Sequence, residues 1–310
     1  MRRLTSPQII KYRAAQQVSP DLIFITPDKT RPFIPEQYTQ LYHSKMYQIL
    51  SSNQKLRYNQ LYAARTNEQF MFFESGFTMS VIQNMMDKNI SLANRELTIC
   101  LSELLLEEQQ HFHMFRNLNI VTEPQLYASN FYYFLQLNKW ERIALSIAGR
   151  FPEQLLAMLW LVLIMEEYVV QFSKEMVGQE KSCKLGLFDE NYVQVHQRHL
   201  KDEARHVHID ANLIDYVFEK TTGLKKKLNV KLLRYLLRAT LRPRHAGLNV
   251  IQQLLKEFPE LLPHAAGLRA TVNDYTYDPC IFQMINNPTK LPLLHDLLET
   301  YPEFKQAFVF

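Results

Sequence analysis

The stretch "RHLKDEARHVHID", residues 198–210, sets His199, Asp202, Glu203, His206, His208 and Asp210 within thirteen positions. An α-helix turns 100° per residue. Taking His199 as the origin, Glu203 lies about 40° to one side and His206 about 20° to the other. One helix face therefore offers nitrogen, oxygen and nitrogen donors at successive turns. Glu203 and His206 also form a Glu-x-x-His pair, the i, i+3 spacing by which helix bundles hold two metal ions. The plain alternative is a solvated, charged face, and the rest of the chain decides between the two.

A second pair, Glu108–Gln109–Gln110–His111, lies in another proline-free, helix-patterned stretch. Two-metal bundles add one Glu from each of two further helices. The first is Glu74, isolated among apolar residues in "MFFESGF" (71–77). The other is Glu166 or Glu167, at the end of the apolar run "LLAMLWLVLIM" (155–165). Val162, Val170, Ser173 and Val177 surround Glu166 on the helical wheel, so Glu166 is the inward candidate. Glu68 and Glu107 stand as alternatives to Glu74 and Glu108. A carboxylate amid aromatics needs a partner, either a metal or a cationic side chain.

Carboxylates with imidazoles suit iron or manganese, and a donor set without cysteine argues against zinc and iron–sulfur chemistry. A metal-bound imidazole needs an acceptor for its other N–H. Asp202 could serve His111 in that way, or pair with Arg198 or Arg205. His113, His196 and His208 are left outside the donor set.

These motifs resemble those of the ferritin-like non-haem diiron oxygenases, with "DEARH" (202–206) similar to their second metal-binding motif. His199, at His-x-x-x-Glu-x-x-His spacing, is similar to the third histidine of the p-aminobenzoate N-oxygenase family. "MEEYVVQFSKEM" (165–176) resembles that family's Glu-Glu helix. The likeness covers residues 55–215. It implies Glu74, Glu108, Glu166 and Glu203 as the carboxylates, and His111, His199 and His206 as the imidazoles, around two iron ions, with manganese as the alternative metal. It further implies O2 activation through a peroxo-diferric species, an amine substrate oxidised at nitrogen, an unidentified electron donor and a possible homodimer. Two other readings keep the metal. One is a diiron C–H hydroxylase or desaturase-type oxidase with a simpler ligand set, against which His199 discriminates. The other is a ferritin-like iron-binding protein without an organic substrate.

The totals agree with a helical enzyme. The 310 residues include only seven glycines, too few for the turns of an all-β or doubly wound architecture. A net charge of +4 leaves no nucleic-acid footprint. The longest apolar run, 155–165, is far short of the roughly 20 residues that cross a membrane. Three widely spaced cysteines (Cys100, Cys183, Cys280) suggest reduced thiols and a cytoplasmic protein. The N-terminus lacks the apolar stretch of a signal peptide.

Apolar periodicity predicts helices over 54–88, 92–117, 130–149, from Pro152 to about Met176, and over 189–220. The expected fold is all-α: a single domain over 1–310 with a ferritin-like four-helix-bundle core (54–220). An N-terminal arm (1–53), mostly irregular, and a proline-broken helical tail (221–310) would pack on that core. The basic, amphipathic "LKKKLNVKLLRYLLRATLRPRH" (224–245) reads as a solvated helix against the bundle, with an anionic surface as the other possibility.

Overall fold

The computed structural model describes residues 3–16, 22–87, 94–136, 155–178, 181–219, 221–240, 244–274 and 279–308. Helices of eight or more residues there are α1 (Ser6–Ala15), α2 (Ser52–Met71), α3 (Met79–Asp87), α4 (Arg95–Thr122), α5 (Ala157–Met176), α6 (Glu190–Phe218), α7 (Gly223–Thr240), α8 (Arg244–Glu257), α9 (Ala265–Asp274) and α10 (Pro292–Thr300). Among the described residues the strands are two-residue β1 (Ser182–Cys183) and β2 (Gly186–Leu187), an antiparallel pair in the loop before α6. The fold is all-α, as the periodicity predicts, and is consistent with a ferritin-like bundle. No helix among the described residues is long and apolar enough to cross a membrane.

The helix starts follow from local chemistry. Ser51 caps α2, its hydroxyl accepting from the Gln54 N–H, and the Gln54 side chain returns a bond to the Ser51 N–H, a capping box. Asn94 caps α4 and Asp189 caps α6. Helix α5 has no side-chain cap; its apolar residues are buried all round, so packing rather than propensity holds it. α2, α4, α5 and α6 form the bundle, with α5 and α6 the most extensive pair and α4 packed against both α2 and α6.

Between α2 and α3, residues Phe72–Thr78 widen into a π-helical segment. Through residue 87 the expected 54–88 helix thus forms, with an interruption that the apolar spacing does not disclose. Of the expected 130–149 helix, residues 130–136 are irregular and the remainder lies outside the described residues, as does Pro152. The reason at 133–135 is visible. The Glu68 carboxylate accepts the backbone N–H groups of Tyr133, Phe134 and Leu135 and the Tyr127 hydroxyl, so those amides are bonded without helix carbonyls.

Among the described residues after α1, the arm runs irregularly and then through short helical turns (Glu36–Tyr38, Gln40–His43, Lys45–Gln48), and it is anchored. Asn59 bonds the backbone of Phe33 and Ile34, and Asn191 exchanges two bonds with Ile25. The tail packs on the bundle and against the arm. Trp160 of α5 stacks on Phe304 with centroids 4.6 Å apart, and α7 buries Val230, Leu233 and Leu237.

Candidate metal centre

The bundle interior brings together Glu74 from the π-helical segment, Glu108 and His111 from α4, Glu166 from α5, and His199, Glu203 and His206 from α6, all buried. Glu203 is the hub. Its Oε1 lies 3.1 Å from His111 Nδ1, 2.9 Å from His199 Nε2 and 3.4 Å from His206 Nδ1. Glu74 Oε1 is 3.1 Å from His199 Nε2, and Glu108 Oε1 is 2.9 Å from His206 Nδ1. Glu166 stands further out, 3.9 Å from His206 Nδ1.

Two overlapping four-residue groups could each hold a metal ion: Glu74, His111, His199 and Glu203, and Glu108, His111, Glu203 and His206. They share His111 and Glu203. Although some lie only 2.9 Å apart, their inward atoms form no aligned hydrogen bond: Glu74 Oε2, both oxygens of Glu108 and of Glu203, and His111 Nδ1, His199 Nε2 and His206 Nδ1. Buried polar atoms without partners are rare and costly. So many, converging on one place, fit a cation held by oxygen and nitrogen donors.

The electrostatics agree. Four buried carboxylates carry four negative charges when ionised, which two divalent cations balance. Without a cation the cluster redistributes protons. Burial, with Glu203 and Glu108 nearby, drives the Glu166 carboxyl well above its ordinary range. Burial opposes charge on His111, but Asp202 and Glu203 outweigh it and hold the ring at about 10. His206 is likewise raised well above its ordinary value by Glu203, Glu107 and Glu108, against burial. Glu203, despite burial, is held well below its range by His199 and His206.

Around this cluster lies a second layer. His111 Nε2 is 3.2 Å from Asp202 Oδ2 while Asp202 Oδ1 accepts from Arg205 at 3.2 Å, so both relations open to Asp202 in the sequence occur. His206 Nε2 is 2.9 Å from Glu107 Oε2, which also accepts from Arg205 Nη2 at 2.6 Å. Arg13 of α1 reaches Glu107 Oε1 at 2.7 Å. Glu107, read from sequence as an alternative to Glu108, backs the imidazole instead. Glu68 is bound to the 133–135 backbone and Glu167 to the Leu293 and Leu294 N–H groups at 2.8 Å each; neither faces the cluster. His208 accepts the Leu4 N–H, and His113 is exposed.

Sequence reasoning missed Arg13 and Asp210, and named Arg205 only as a partner of Asp202, a contact that forms at 3.2 Å, not as a partner of Glu107. Asp210, one turn beyond His206, is buried, with Oδ2 unpartnered and its carboxyl raised by burial. A signal existed for Arg205 and Asp210, since both lie inside the 198–210 stretch. The contact of Arg13 from the arm had none.

Residues 14–266 match the family of p-aminobenzoate N-oxygenase AurF. The match spans most of the chain and contains every residue of the cluster, so the chain belongs to this family. No curated protein matches it.

Proposed function

We propose that this member of the p-aminobenzoate N-oxygenase family is an O2-dependent diiron enzyme that oxidises the nitrogen of an arylamine. The observation that carries the proposal is the convergence of unpartnered donor atoms from Glu74, Glu108, His111, His199, Glu203 and His206, with Glu166 beside them. These seven residues are the metal ligands in this reading: three neutral nitrogen donors and four carboxylates, a set suited to iron with positions left open. When bound, the irons supply the reduction of O2, with electrons from an external donor.

The chain's own part is positional. Glu203 reaches all three imidazoles and would be the central carboxylate ligand. Asp202 and Glu107 fix the rings of His111 and His206 from behind. Phe70 and Phe115, with centroids 6.1 and 4.8 Å from the His199 ring, pack against that ring and fix its orientation. The arm contributes through Arg13 to Glu107, which supports treating residues 1–310 as one unit.

The test is anaerobic Fe(II) loading of the whole chain, iron quantification, and exposure to O2 with an arylamine panel followed by mass spectrometry. Two irons per chain and hydroxylamine or nitro products are the expected result. Iron uptake with no oxidised amine across the panel would instead favour an iron-binding protein. No stoichiometric iron would remove the reading altogether.

A further inference from the structure

The three imidazoles of the cluster are not held alike. His111 and His206 turn Nδ1 inward and have a carboxylate behind Nε2, Asp202 and Glu107 respectively. His199 turns Nε2 inward, and its Nδ1 is buried without a hydrogen-bond partner. The His199 ring packs against His111, Phe70, Phe115 and a fourth histidine, His196, whose ring centroid is 6.5 Å away.

His196, one turn before His199 on α6, is fully buried. Its Nδ1 lies 3.1 Å from the Ser173 hydroxyl of α5. Its Nε2, like Nδ1 of His199, is buried with no partner. The ring packs against Phe70, Phe115 and Phe172, with centroids at 6.1, 5.7 and 5.0 Å. Burial holds it well below the ordinary histidine value, with the nearby His199 adding to the effect, so the ring is neutral.

Two orphaned nitrogens therefore occur on neighbouring rings, and their needs are complementary. If His199 gives Nε2 to a metal, its Nδ1 must carry the proton and donate. If His196 donates Nδ1–H to Ser173, its Nε2 is an acceptor. A direct N–H···N bond of about 3 Å would draw the centroids to roughly 5 Å. A single bridging water opens the separation to about 6.5–7 Å, in line with the observed spacing.

We propose that His196 is a positioning residue for His199, holding its Nδ1–H through one buried water and a ring fixed by Ser173. This rests on the proposed function, in that it takes His199 Nε2 as a metal ligand. It goes further by making His199 the weakest of the three imidazole donors. A carboxylate behind a ring pulls on its N–H and strengthens the opposite nitrogen as a donor, and a neutral acceptor does so less. The ion gripped by Glu74 and His199 is then the more weakly held of the two.

The experiment is anaerobic Co(II) titration of the full chain, following visible absorption and bound metal, with circular dichroism as the check on folding. Wild type should bind two ions, one more weakly. His196→Phe, which fits the aromatic surroundings but removes the acceptor, should weaken that ion alone by about 10–100-fold. His196→Gln, whose amide oxygen can replace the ring nitrogen, should recover most of the loss. Ser173→Ala should move affinity in the same direction as His196→Phe, by less. Unchanged affinities in a folded His196→Phe, or in Ser173→Ala should the Phe variant not fold, overturn the role of His196 and leave the diiron reading standing. Fewer than two ions on wild type would take down both.

Discussion

Glu107 Oε2 stands 2.9 Å from Nε2 of His206, while its neighbour Glu108 stands 2.9 Å from Nδ1 of the same ring. Consecutive residues of one helix thus grip opposite edges of one imidazole, and their substitutions should differ in kind. Glu107→Gln should keep two metal ions per chain but weaken binding by about 10–100-fold. Glu108→Ala should lower the number of ions bound. Metal titration followed by elemental analysis separates the outcomes, and equal stoichiometry loss in both variants would contradict the assignment.

Glu166 and Glu167 make a second adjacent pair with divided roles. Glu167→Ala strands the buried N–H groups of Leu293 and Leu294, at about 1–3 kcal/mol for each unpaired group. A lower melting temperature with unchanged metal content is expected. Glu166→Ala should show the reverse, a deficit of bound metal in a chain that still folds.

Burial also pushes the Glu167 carboxyl up to about 7, against the two backbone N–H groups that favour its ionised form. A carboxyl raised above its unfolded value of 4.5 contributes stability that is complete below that pH and lost as pH rises through 7. Glu167→Gln should flatten this part of the stability profile. Denaturant unfolding at pH 5, 6, 7 and 8 reads it directly, and parallel profiles for the two proteins would exclude the linkage.

Metal uptake should release protons. Without metal, Asp202 and Glu203 hold His111 protonated up to about 10, and a bound cation must displace that proton. Affinity should therefore rise steadily between pH 6.5 and 8.5, and a flat profile in titrations across that range would argue against His111 as a ligand.

His199→Ala should abolish amine oxidation while leaving the helical content intact, since the ring lies within the cluster at 2.9 Å from Glu203. Product analysis by mass spectrometry measures the effect. Wild-type product yield in the variant would reassign His199 to a supporting role.

The helices and the cluster differ in how far the linear sequence exposes them. The two Glu-x-x-His pairs and His199 were legible because donors on one helix face recur at a period the helix itself imposes. The more apolar stripe also pointed to Glu166 as the inward acid, and it lies 3.9 Å from His206 Nδ1; its part as a ligand belongs to the proposal. The helical course of 52–87 could be read as well, though not its π-helical segment. Nothing in the apolar spacing marks the one extra residue per turn in the segment that carries Glu74.

What the sequence alone determined is therefore the all-α class and the donor types of the candidate centre, because periodicity and donor type are local properties. Tertiary structure decided the division of labour among side chains of the same type. Glu68, Glu107 and Glu167 resemble Glu74, Glu108 and Glu166 in type and setting, and only their partners separate them: the 133–135 backbone, His206 with Arg205, and the first turn of α10. Those partners come from segments distant in the chain. A buried carboxylate is defined by what satisfies its oxygens, and that is settled only when the helices pack.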